Sequence, residues 1–293
     1  MITPTVVKDD VVSTKVLLAS LSDDVLLSYP GMENPSKILA LELLVKYYHF
    51  VNFAGERAAL LIIPLKVIQI SLTYGMSPIS PIGFALYGNF LALVGDEFQE
   101  GYRYVKLALS LMKKLPSRAQ DGNIMFYANY TKLLVEPMQS AIELYPDAYK
   151  ASMKSGIPHA SCVCNYIYGN LSLWSGKGLK VVVSSMKETL KETKYHKNRN
   201  ILRMILPIFR MALRLTGETS APEQDQDSLI NASDRISKKD ITGKHASYFH
   251  SLYFIRLTEA LIFRELDEAI DATNEYFFVD KGVGFHFLLR LSI

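Results

Sequence analysis

The chain holds 293 residues, 49 % of them hydrophobic and 21 % charged, with a net charge of +3. That is the composition of a packed globular chain with material for one or two domains. The 32 basic and 29 acidic residues are scattered, which argues against a dedicated nucleic-acid binder, because that function needs a concentrated basic stripe.

The periodicity is helical almost everywhere. Leu17, Leu18, Leu21, Val25 and Leu26 fall at spacings of three and four, the stripe of an amphipathic helix. "YPGMENP" (29–35) then breaks the chain. Asn34, Pro35 and Ser36 open the next helix, since Pro is favoured at the first helical position. Its stripe is Ile38, Leu41, Leu44, Val45 and Tyr48. A third helix is predicted over 56–74, with Pro64 imposing a kink or a late start and Gly75 a natural stop.

"SPISP" (77–81) is the next punctuation, followed by a predicted helix over 82–94. Gly95 and Asp96 turn the chain into another over 98–114. Further helices are predicted over 124–135 and 141–153, split near Glu136 and Pro137, then over 159–174, 179–191 and 199–215. Residues 218–245 lack aromatics and are rich in Ser, Asp, Lys and Gln, the signature of a flexible insertion or linker. Helical patterning resumes over 246–263 and 266–278. The last residues, "GFHFLLRLSI", are apolar without a polar cap, so a truncated or shortened product of a longer protein is expected. Sustained period-2 alternation is missing, and no strand is predicted.

Between Lys66 and Asp96 no side chain is charged, and a membrane span needs about 20 apolar residues. That window is cut by Gly75, Pro78 and Pro81 and carries Gln69, Ser71, Thr73 and Asn89. Two buried helices joined by a turn explain it better than a membrane span. The two cysteines, Cys162 and Cys164, form no disulfide framework and suit a reducing compartment. "MITPTVVKDD" lacks the basic and apolar regions of a signal peptide. A cytoplasmic location is expected, and the sequons at Asn129, Asn170 and Asn231 read as chance matches.

One stretch is written twice. "LYGNFLALVGD" (86–96) returns 81 residues later as "IYGNLSLWSGK" (167–177). Helix pairs of roughly 40 residues with short turns are the mark of helical repeats. The expected fold is all-α, a right-handed α-solenoid of antiparallel, tetratricopeptide-like helix pairs. It is organised as repeats over 1–217, the linker, and continuing repeats over 246–293. A Gly inside a helix costs about 1 kcal/mol against Ala, so Gly88 and Gly169 need a packing reason, namely a close crossing by the partner helix. Gly101 and Ala108 are the small residues of that partner in the first copy; the corresponding places in the second copy are larger. Asn89, Asn170, Tyr166 and Trp174 fall on the first-helix face that lines the groove in such repeats. A groove of amides and aromatic rings suits an extended peptide or a helix.

The block "LTYGMSPISPIGFALYGNFLALVGDEFQEGYRYVKLALSLMKKL" (72–115) resembles the helical middle region of the very large predicted ATPases of signalling proteins. The resemblance rests on Gly75, Ser77, Pro78, Ser80, Tyr87, Gly88, Gly95, Asp96, Gly101, Tyr102, Arg103, Ala108 and Leu109. "YYHFVNFAG" (47–55) and residues 246–275 also look like that family. It implies a tetratricopeptide-like region that follows kinase-like and AAA/STAND ATPase domains and precedes a GAF domain and a histidine kinase or cyclase.

The chemistry of those domains is not written here. "SGKGLK" (175–180) lacks the spacing of a phosphate-binding loop, and neither a His-Arg-Asp nor an Asp-Phe-Gly motif occurs. His159, Cys162 and Cys164 do not converge on one metal from a helix, so buried core cysteines are expected. His245 and His250 miss the i, i+4 ligand spacing. Glu188/Glu192 and Asp267/Glu268 read as helix-surface charges. The reading is a non-catalytic scaffold with no cofactor, whose partner is a protein or a neighbouring domain of a longer chain, not nucleic acid and not a membrane. Two alternatives are a function inherited from an ATP-binding parent kinase or cyclase, and a membrane-associated helical protein.

Overall fold

The computed structural model describes residues 4–54, 57–115, 119–218 and 246–282. Most of the expected linker, His245 and the apolar C-terminal stretch 283–293 lie outside them. Among the described residues every regular element is an α-helix, and no strand occurs. None of the described helices is long and apolar enough to cross a membrane. The chain divides into two compact units, Met1–Ile157 and Pro158–Ile293.

The first unit holds α1 (Pro4–Ala19), α2 (Asp23–Leu27), α3 (Pro35–Ala54), α4 (Arg57–Tyr74), α5 (Ser80–Leu93), α6 (Phe98–Lys114), α7 (Asp121–Lys132), α8 (Met138–Ile142) and α9 (Tyr145–Lys154). The apolar stripe 17–26 is shared between two helices rather than carried by one. Ser22 separates them by capping α2: its Oγ accepts from Val25 N at 3.3 Å. Likewise 141–153 is split, because Pro146 lacks the N–H that a continuous helix would need and instead starts α9. Pro64 does not delay α4, which begins seven residues ahead of it at Arg57. Asn34 caps α3, its Oδ1 accepting from Ser36 N at 3.0 Å and Lys37 N at 3.3 Å.

The centre of this unit is α5. Every residue from its first, Ser80, through Asn89 is buried, as expected of a helix that is apolar all round. It packs on α4, α6 and α7, while α3 and α1 lie on α4 and α9 on α7. Leu41, Leu65, Ile68, Ile82, Phe84 and Leu111 form the core around it. Burying each such side chain contributes about 1.5–3 kcal/mol.

The uncharged window is the second half of α4, a turn, and α5. The turn is stapled to the loop before α3. Met76 N donates to Pro30 O at 2.7 Å and Met32 N to Met76 O at 2.8 Å. Ser80 Oγ accepts from Ser77 N at 2.9 Å and shares a hydrogen bond with Ser71 Oγ at 2.6 Å. Gly75 adopts φ +102°, and a Cβ there would lie 2.7 Å from Gly31 O, so both conformation and space demand glycine.

The second unit holds α10 (Pro158–Trp174), α11 (Leu179–Tyr195), α12 (Arg199–Thr216), α13 (Ala246–Phe263) and α14 (Leu266–Gly282). Helix α10 packs on α11 and α12, α11 on α12, α12 on α13, and α13 on α14. Asn198 caps α12 at Ile201 N (3.3 Å), and its amide donates to His159 Nδ1 at 2.8 Å, tying α10 to the start of α12.

Candidate functional site

The two copies of the Tyr-Gly-Asn stretch lie on α5 and α10, one in each unit. In the first copy Gly88 and Gly101 face each other where α5 crosses α6. A Cβ on Gly88 would fall 2.5 Å from Gly101 O, and one on Gly101 would fall 2.5 Å from Gly88 O. Backbone meets backbone, and no rotamer change could make room. Ala108 is fully buried further along the same α6 face. Tyr87 is buried against Tyr104, with ring centroids 5.1 Å apart and planes at 61°. Burial raises the pKa of both phenols, that of Tyr104 to about 12, so both rings pack as neutral groups.

In the second copy the space beside Gly169 is bounded by a side chain only: a Cβ would lie 3.2 Å from Met186 Cγ and 3.5 Å from its Cε. Tyr168 stays partly exposed, with Lys177 Nζ 4.9 Å from its ring centroid. The turns differ too. In the first copy the left-handed residue is Asp96 (φ 54°); in the second it is Gly176 (φ 80°). Similar sequences therefore fill dissimilar places.

Asn89 is buried, and its amide donates to Thr131 Oγ1 at 3.1 Å, joining α5 to α7. Asn170 is half-buried and accepts from Trp174 Nε1 at 2.7 Å, one turn along α10. The Trp174 ring meets Phe254 of α13 edge-on at 5.6 Å. Tyr166 is buried in a narrow seam with Gly169, Met186, Thr189 and Ile205, and burial pushes its phenol up to about 12. Asn89 belongs to the first unit, and Tyr166, Asn170 and Trp174 to the second. Asn170 and Trp174 alone of the four keep partly exposed atoms.

The signature residues of α6 also have structural partners. Arg103 reaches Asp23 Oδ1 at 2.8 Å and Glu100 Oε1 at 2.8 Å, fastening α6 to α2. Tyr102 donates to Glu136, which also accepts from Ser140 at 2.9 Å and pairs with Lys132 at 3.2 Å. Those hydrogen bonds hold the Glu136 carboxyl below its ordinary pKa, Tyr102 contributing most. Cys162 and Cys164 are buried thiols, and burial pushes Cys162 upward, away from the reactive thiolate. Among the described residues no three His, Cys, Asp or Glu side chains group as metal ligands.

Two further contacts, one part-buried and polar and one a tight helix crossing, join α7 to its neighbours. His49 of α3 places Nε2 3.4 Å from the Asn123 amide of α7. Gly122 meets Ser152 across α7 and α9, where a Cβ would lie 2.2 Å from Oγ and 2.6 Å from Cα. The predicted helix begins at Ile124, whereas α7 begins at Asp121, so Gly122 falls outside the helix read from the sequence, which holds no cue to its crossing. No protein-family model and no curated protein matches this chain.

Proposed function

We propose that the chain is a non-catalytic helical-repeat scaffold, stacked as antiparallel helix pairs in a right-handed solenoid, that holds a protein segment or a neighbouring domain. The observation that carries this reading is the order of packing. Within the first unit, α4 packs on α5, α5 on α6, α6 on α7, and α5 also on α7. Within the second, α10 packs on α11 and on α12. Contacts to the next helix and the next but one, across short connections, are those of stacked hairpins. Where α5 and α6 meet, small residues let the backbones touch.

The side chains singled out in the sequence are absorbed by packing, which supports scaffolding over chemistry. The partly exposed edge at Asn170 and Trp174 is the surface of that set left for a partner. The likeness of residues 72–115 to the helical region of signalling ATPases supports a regulatory segment whose partner is another domain of such an assembly.

The test is a titration of the full chain with ATP and Mg2+, beside in-cell cross-linking read by mass spectrometry. The expected result is no nucleotide binding, with cross-links to a defined protein or domain that weaken in Trp174→Ala. Saturable ATP binding or turnover would overturn the non-catalytic reading.

A further inference from the structure

Helix α3 buries Leu41, Val45, Tyr48 and Val51 inside the first unit. Its opposite face is not polar. Leu39, Leu43, Tyr47 and Phe50 follow one another at intervals of four, four and three, and are 55, 57, 49 and 69 % exposed. Single exposed apolar residues are ordinary. Four on one helical face form a continuous seam about 16 Å long at 1.5 Å per residue, and a seam of that kind marks a contact surface.

We propose that this face pairs antiparallel with the same face of a second copy of the chain, across a two-fold axis. A two-fold contact must be self-complementary, and the seam on α3 matches its own reverse to within one residue. Reversal about the midpoint between Leu44 and Val45 sets Leu39 opposite Phe50 of the second copy and Leu43 within one residue rise, about 1.5 Å, of Tyr47. The charges obey the same symmetry. Glu42 and Lys46 lie one turn apart on the same flank of the seam, and their midpoint is Leu44, within about one residue rise (1.5 Å) of that axis. An antiparallel pair keeps like flanks together, so Glu42 of each copy meets Lys46 of the other. A parallel pair would put those flanks on opposite edges, where the charges cannot meet. Within one chain neither residue forms an ion pair with another described residue. A single-helix seam falls below the standard interface size, so the association is weak and dependent on concentration.

The experiment is analytical ultracentrifugation of the full chain across the micromolar range. A reversible monomer–dimer equilibrium is expected. Leu43→Glu, a change at an exposed position, gives a monomer with an unaltered circular dichroism spectrum. Glu42→Lys and Lys46→Glu each weaken dimerisation by about tenfold through two like-charge contacts. The double variant regains most of the affinity, because the swapped charges pair again. A wild-type chain that stays monomeric throughout, a dimer indifferent to Leu43→Glu, or charge reversals whose losses merely add would overturn the proposal.

Discussion

Asn89 stands one residue past the Gly88 crossing, and its environment comes from Thr131, 42 residues further on. Asn89→Ala removes the donor and leaves a small void, at an expected cost of about 1–3 kcal/mol; urea unfolding followed by circular dichroism measures it. His49 is the residue with a pH dependence to test. Burial lowers its pKa from the ordinary value, opposed by a hydrogen bond with Gln120. The unfolded chain therefore binds that proton more readily than the folded one. The stability tied to neutral His49 is fully present above about pH 6.5 and is lost as pH falls from there through the folded value. His49→Gln should flatten that part of the profile of unfolding midpoint against pH. A variant whose slope matches the wild type would contradict this account of the ring.

At the scale of elements, helix crossings matter more than surface charge. Gly122→Ala forces a methyl into the backbone of Ser152 and should cost about 3 kcal/mol, read as a drop in thermal midpoint. Arg214 bridges α12 to Glu259 at 3.1 Å and Glu265 at 2.5 Å and lies 3.9 Å from the centroid of Phe263. Arg214 and Glu265 are substantially solvent-exposed and Glu259 partly so, so Arg214→Ala should lower stability by no more than about 1 kcal/mol, and less at high salt. The helical class was legible because apolar spacing near 3.6 runs through nearly every segment. The breaks between α1 and α2 and between α8 and α9 were not, because the apolar stripe continues across both. They depend on a Ser22 cap and on Pro146. Helix α3 shows a different limit. The stripe read from the sequence, Ile38, Leu41, Leu44, Val45 and Tyr48, is the one that faces the core, while the second apolar row through Leu43 and Tyr47, which the sequence reading did not separate out, stays exposed.

Across the whole molecule, the side chains that stand out in the sequence hold helices together within each unit. The doubled stretch carries that claim. Had it been one binding site used twice, its two glycines would occupy equivalent surroundings. Instead Gly88 is walled by the Gly101 carbonyl and by Val105, whereas Gly169 faces only the flexible side chain of Met186. The partner atoms could not be read from the sequence, since each is set by how the next helix crosses. The most direct measurement is hydrogen exchange by mass spectrometry on Gly88→Ala and Gly169→Ala in the full chain, comparing amide protection in α5 with that in α10. The account predicts that Gly88→Ala lowers protection of α5 by about 2 kcal/mol. Gly169→Ala should leave α10 unchanged or raise its protection by up to about 1 kcal/mol through helix propensity. Equal losses in both helices, or a Gly88→Ala chain as protected as the wild type, would contradict it.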